Sequence, residues 1–213
     1  GRDRVAQAAR RAGLVLEGPL PASLALGVLE TSPLDLAQAY APFANGGMAV
    51  IAHAVESIET AEGEVLYRRR GSGPGRVIEG HRLGTFNGLM QGAMAEGGTG
   101  HQAHLGGRPA GGKTGTTQDS RDAWFAGYTA DRVAVVWLGH DDGSPMKDGH
   151  GRGLTGGGLP ALIWRDVMLA ANEGLPVRPL PGEALPDSRP SSSEGGVPTG
   201  FWDRLQNLLG GTS

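Results

Sequence analysis

Gly107-Arg108-Pro109-Ala110-Gly111-Gly112-Lys113-Thr114-Gly115-Thr116-Thr117 is the stretch on which the reading of this chain turns. Lysine is scarce: Lys113 and Lys147 are the two among 19 basic residues. A lone ammonium between glycines marks a place that suits a compact charge and not a planar guanidinium. A solvated lysine on a turn is the plain alternative; the flanking glycines and three nearby threonine hydroxyls speak against it. Two incompatible patterns overlap here. Residues 107–114 match G-x-x-x-x-G-K-T, a loop that cradles phosphates, and residues 113–115 match the shorter K-T-G.

Context separates the two. A phosphate loop follows a buried apolar strand and opens a helix whose N-terminus binds the anion. Gly100-His101-Gln102-Ala103-His104-Leu105-Gly106 is not such a strand, and residues 115–121 carry no helical apolar stripe. Pro109 also removes one backbone N–H from the cradle. K-T-G on a strand asks for a turn and a paired strand next, and the chain offers both. Ala123 to Tyr128 and Val133 to Leu138 read as strands, joined by the short link Thr129-Ala130-Asp131-Arg132, with residues 111–117 as a third strand before them. Alternation puts Thr114 and Thr116 on one face and Lys113 with Gly115 on the other. Gly115 leaves room for close approach, and an extended peptide can add to such an edge.

Working outward, the spacing predicts helices over 3–12, from Ser32-Pro33 to Gly46-Gly47, over 81–95 and over 160–172. Residues 50–68 read as a hairpin around Ala61-Glu62-Gly63-Glu64, and 140–158 as a Gly/Asp-rich loop. From 175 onward Pro, Gly, Ser and acidic residues dominate, which predicts a body over 1–174 and a flexible tail over 175–213, mobile past about Pro176. Phe201, Trp202, Leu205, Leu208 and Leu209 form a short amphipathic patch near its end.

Gly112-Lys113-Thr114-Gly115-Thr116-Thr117 followed by Arg121-Asp122-Ala123-Trp124-Phe125-Ala126-Gly127-Tyr128 resembles the transpeptidase domain of class A, bifunctional penicillin-binding proteins. The resemblance extends to Thr31-Ser32-Pro33-Leu34-Asp35-Leu36-Ala37 with Tyr40-Ala41-Pro42-Phe43-Ala44-Asn45-Gly46-Gly47, and to Gly98-Thr99-Gly100. It reaches Thr155-Gly156-Gly157 with Leu159-Pro160-Ala161 and Ile163-Trp164. It implies an α+β fold of the serine β-lactamase and penicillin-binding-protein type, an antiparallel sheet flanked by helices and incomplete in this chain. It implies a serine-type D-Ala-D-Ala transpeptidase/carboxypeptidase acting through an acyl-serine, with peptidoglycan stem peptides and β-lactams as ligands and no metal or organic cofactor. It assigns Lys113 and Thr116 catalytic roles and Lys113, Thr114, Gly115, Thr116 and Thr117 substrate binding. A glycosyltransferase domain and a membrane anchor are expected upstream, on the extracytoplasmic, periplasmic side, with cell-wall synthesis proteins as further partners.

The family's other motifs, S-x-x-K and S-x-N, precede K-T-G. No serine here has Asn two residues on, and only Ser144 has Lys three residues on, in Ser144-Pro145-Met146-Lys147. That match follows K-T-G and sits in the Gly/Asp-rich loop, so it reads as coincidence. The chain therefore reads as the C-terminal piece of a transpeptidase domain after S-x-N, inactive by itself; Gly1-Arg2-Asp3-Arg4 reads as the start of a helix cut from something longer. A non-catalytic module that binds a partner or peptide on the same fold stays open, and a nucleotide-binding protein stands behind it. His101 with His104, and His140, Asp141, Asp142 and His150, lack a defined ligand set and read as solvated. Trp124 and Trp164 read as core aromatics. Acidic residues number 22 against 19 basic ones, so the basic surplus of a nucleic-acid binder is missing. Cysteine is absent, which removes disulfides and thiol catalysis.

Overall fold

The computed structural model describes residues 1–71 and 73–182. The helices are α1 (Arg2–Arg11), α2 (Pro33–Ala44), α3 (Gly80–Gly92) and α4 (Leu159–Ala171). The strands are β1 (Met48–Ala49), β2 (Ser57–Glu59), β3 (Val65–Arg68), β4 (Gly75–Arg76), β5 (Gly111–Thr116), β6 (Asp122–Tyr128) and β7 (Val133–Gly139). Helix α2 starts where Ser32 Oγ accepts the Asp35 N–H at 3.1 Å, with Pro33 pre-set at the first position.

Strands β5, β6 and β7 form an antiparallel sheet in that order, with Lys113 opposite Ala126 and Trp124 opposite Trp137. The β6–β7 turn is held by Thr129, whose N–H donates to the Arg132 carbonyl at 2.8 Å. Its hydroxyl accepts from the Arg132 N–H at 3.2 Å and bonds the Asn172 amide oxygen at 3.0 Å. The β-branched run Val133, Val135, Val136 suits a pleated surface covered on both faces.

Each face buries its own cluster. Phe125, Ala134 and Val136 pack under Ala161, Trp164 and Met168 of α4, with Met94, Ala103, Leu105 and Ala110 alongside. On the other face Tyr128 and Val133 meet Tyr40, Phe43 and Ala44 from α2 and Phe86 and Met90 from α3. Phe43 and Phe86 stack with ring centroids 4.1 Å apart. Side chains as large as Phe125 and Trp164 stabilise the fold by about 1.5–3 kcal/mol each when fully buried. Asn87 is wholly buried amid this second cluster. It donates to the Phe43 carbonyl at 3.2 Å and the Pro181 carbonyl at 2.9 Å, and accepts from the Tyr128 hydroxyl at 2.6 Å.

The helices and the three sheet strands fall where the spacing predicts them, with ends within three residues. Two features differ. The short pair β1–β4, Met48 opposite Arg76, is a pairing of distant two-residue segments that no local pattern announces, and Val50 and Ile51 stand outside the hairpin strands. The body also does not end at 174. The Arg108 guanidinium reaches the carbonyls of Leu175 at 2.7 Å, Pro176 at 3.0 Å and Asn172 at 3.4 Å, and Leu180 is 1% exposed. Composition weighs the many Pro, Gly, Ser and acidic residues and overlooks two anchors, a carbonyl cluster and one leucine. Residues 183–213, with the amphipathic patch at 201–209, lie outside the described residues.

Candidate active site

Strand β5 is an edge strand of its sheet. Just past it the Thr117 N–H donates to the Asp122 carbonyl at 3.1 Å. On an antiparallel ladder bonded and non-bonded pairs alternate, so Gly115 and Lys113 also bond toward β6. The N–H and C=O groups of Thr114 and Thr116 consequently point out of the open edge. Gly112 fixes how deep the strand sits: a Cβ there would stand 2.7 Å from the Phe125 ring and 2.9 Å from Met94 Sδ.

The side chains divide as the alternation requires. Lys113 is exposed on the face shared with Trp124 and Trp137, and its Nζ donates to the Thr114 carbonyl at 2.7 Å. The two indoles lie 6.0 Å apart, and Trp137 Nε1 donates to Asp122 Oδ1 at 2.9 Å. Thr114 and Thr116 face the α4 side, under two crossing loops. Thr114 Oγ1 bonds Thr99 Oγ1 at 3.1 Å, and Thr116 Oγ1 accepts the Gly156 N–H at 3.0 Å. Gly156 lies flat on the β5–β6 ladder: a Cβ would stand 2.5 Å from the Gly115 carbonyl oxygen and closer still to that of Trp124. Any larger residue would lift the loop from the strand.

Four of the five expected site residues, Lys113, Thr114, Gly115 and Thr116, thus line one edge strand. Thr117 differs: its hydroxyl accepts the Asp122 N–H at 2.7 Å and closes the β5–β6 turn. Thr99 and Gly156 join the site from 15 and 40 residues away, contacts visible in the sequence only as small-residue loops. Residues 107–114 do not form a phosphate loop, because Gly111–Thr116 is a strand and a short 3-10 turn at Gln118–Ser120 follows it. Ser144 and Lys147 lie in irregular chain, Ser144 N–H on Asp142 Oδ1 at 2.9 Å and Lys147 bridged to Gly153. The Ser144 bonds hold the Asp142 carboxyl below the usual carboxylate range. The Arg152 N–H, then the His150 N–H and the Arg152 guanidinium, do the same for Asp148. Among the described residues no group of three or more His, Asp or Glu side chains is placed to hold a metal ion.

Known structures share this architecture. The penicillin-binding protein PonA1 from Mycobacterium tuberculosis is similar over 93% of this chain and 59% of its own, with TM-score 0.74 and 28% identity. PonA1 in complex with penicillin V matches at TM-score 0.74 and 30% identity, over 85% of this chain and 52% of that one. Penicillin-binding protein 1A from Haemophilus influenzae matches at TM-score 0.69 and 28% identity, over 88% of this chain and 33% of that one. A K-T-G strand at the open edge of an antiparallel sheet, with helices on both faces, places the chain in the penicillin-recognising class of α+β folds. The family described as penicillin binding protein transpeptidase domain matches residues 10–155, and the chain belongs to that family. Among curated relatives, penicillin-binding protein 1A of Neisseria lactamica is 35% identical over 175 residues, 80% of this chain and 21% of the relative. Penicillin-binding protein 1A of Mycolicibacterium smegmatis is 34% identical over 172 residues, 77% of this chain and 22% of the relative. The chain thus spans about a fifth of the length of the curated relatives it matches.

Proposed function

We propose that this chain is the K-T-G portion of a peptidoglycan D,D-transpeptidase. The carrying observation is the open edge of β5, where the ladder phase turns the Thr116 N–H outward. In the working protein a serine from an S-x-x-K motif attacks the carbonyl carbon of the D-Ala-D-Ala bond. The Thr116 N–H and the serine's own N–H hold the developing oxyanion; one such donor contributes about 3–4 kcal/mol. The C–N bond breaks, D-Ala leaves with a proton on its amine, and an acyl-serine remains. An amine of a second stem peptide resolves it into a cross-link, or water resolves it in the carboxypeptidase reaction. Lys113 carries the positive charge that the terminal carboxylate seeks. The Thr116 hydroxyl accepts from Gly156 and keeps its own proton to donate, and Thr114 lies beside it with a hydroxyl steadied by Thr99. A β-lactam acylates the same serine and seats its carboxylate on the same groups. In this reading the catalytic domain works on the extracytoplasmic side, held by an anchor upstream; among the described residues no helix is long and apolar enough to cross a membrane.

The described Ser-x-x-Lys match is not helical, which favours a second reading of the 213 residues by themselves: a module that holds a peptide along β5 without reacting. Fluorescent penicillin separates the readings. The 213-residue chain is expected to stay unlabelled, while a chain extended upstream through S-x-x-K labels stoichiometrically. Labelling of this chain at Ser144, or none in the extended one, overturns the transpeptidase assignment of the site.

A further inference from the structure

Strands β2 and β3 pair with each other and with no other strand among the described residues, and every residue of both is exposed. Tyr67 stands opposite Ile58 and Val65 opposite Glu59, with Leu66 bulged between the two pairs. With Leu66, Val55 and Ile51, these apolar side chains are 43–63% exposed. An isolated two-stranded hairpin is marginal in water, and an apolar patch of this kind marks an interaction surface. Three arginines follow at 68–70, and Arg69 and Arg70 line a cavity of about 460 Å³ together with Ile51 and Tyr67. Of the nearby acids, Glu59 is taken by Arg68 at 3.2 Å and Glu56 meets His53 at 3.0 Å, while Glu62 and Glu64 sit at the turn end of the hairpin, opposite the end that carries the arginines.

The described chain ends within reach of this surface. Gly182 lies against Gly84 in the second turn of α3, close enough that a Cβ on either would strike the other's backbone. Along the chain, Arg68 is 16 residues from Gly84, part of them helical, so the two are at most about 50 Å apart. Phe201 is 19 residues beyond Gly182, a reach of about 65 Å when extended. The residues between carry Glu183, Asp187 and Glu194 against one basic residue, Arg189. Phe201, Trp202, Leu205, Leu208 and Leu209 follow at the spacing of a single helical face. Acidic approach and apolar end match, in order, the arginines and the apolar strands.

We propose that the stretch 201–209 of this same chain docks on the β2–β3 hairpin, with the acidic residues before it beside the arginines at 68–70. A covalent connection raises the local concentration of the stretch to the millimolar range, so a weak contact suffices. Hydrogen exchange of the amides at 57–68 tests it in the full chain. Against Trp202→Asp/Leu205→Asp, the native sequence is expected to exchange at least tenfold more slowly there, with unchanged melting of the body; equal rates overturn the proposal. The native chain holds no cysteine, so Val65→Cys with Leu205→Cys supplies a single thiol pair. Mild oxidation is expected to close it within one chain, at least tenfold faster than a control pair of Val167→Cys on α4 with Leu205→Cys. Disulfide-linked dimers mean that a second copy covers the hairpin and overturn the proposal, as does equal closure with the control. In a chain extended upstream, exchange at 57–68 that ignores the Trp202 and Leu205 changes assigns the cover to the added residues and overturns it as well.

Discussion

At Lys113 charge and backbone direction meet. Its Nζ has bent back to the carbonyl of the next residue, which the ladder turns toward the open edge. In the proposed reaction a substrate carboxylate arriving there competes with a neutral carbonyl for the same ammonium. A charge-assisted contact is worth roughly 1.5–3 kcal/mol, so Lys113→Ala in the extended protein is expected to slow β-lactam acylation about 10- to 150-fold. Its melting temperature should hardly change, because the side chain is exposed. Lys113→Arg should also acylate slowly, since the planar head cannot take the same compact position. Second-order acylation rates beside a thermal melt check both, and native rates in Lys113→Ala would place the chemistry elsewhere. Lys113 was legible from its isolation among arginines and glycines. Thr99 and Gly156 stood out only as parts of family-like loops, because a hydroxyl and a backbone N–H meeting Thr114 and Thr116 across 15 and 40 residues leave no local pattern.

Two elements hold the strand in place by different means. Helix α2 presents Tyr40 edge-on to Phe43 and Tyr128, and burial pushes its phenol up to about 12. The unfolded phenol ionises near 10, so the stability tied to neutral Tyr40 is complete below pH 10 and drains away between 10 and 12 as only the unfolded chain gives up its proton. Urea midpoints are expected to fall across that window by more in the native protein than in Tyr40→Phe. The loop before β5 is fastened through Arg108. Removing the guanidinium in Arg108→Ala leaves three carbonyls without it, and a protease selective for apolar residues should then cut at Val177 or Leu180. Arg108→Lys should protect only partly, because one ammonium cannot span the fork. Helices and strands were readable here because each is long enough to show its period. The paired two-residue strands β1 and β4 were not, since two residues carry no period.

Across the whole molecule, Asn87 joins α2, α3, β6 and the returning chain at one buried point. Asn87→Ala removes a donor from two carbonyls and an acceptor from a buried phenol. A cost of about 2–3 kcal/mol is expected, read as a lower urea midpoint with the same slope. Nothing in the surrounding Thr85-Phe86-Asn87-Gly88 singled this residue out, because its partners come from 44, 41 and 94 positions away. That last separation sets an order of events. A chain made from its N-terminal end at ~5–20 residues per second delivers Pro181 roughly 5–20 s after Asn87. Until then Phe43, Phe86 and Tyr128 have no lid from Leu180, and the half-made cluster is open to chaperones and to stray neighbours. Closure of this cluster therefore waits on the segment at 180–181, and a ribosome stalled before residue 181 leaves the Tyr128 face of the sheet without its Leu180 cover.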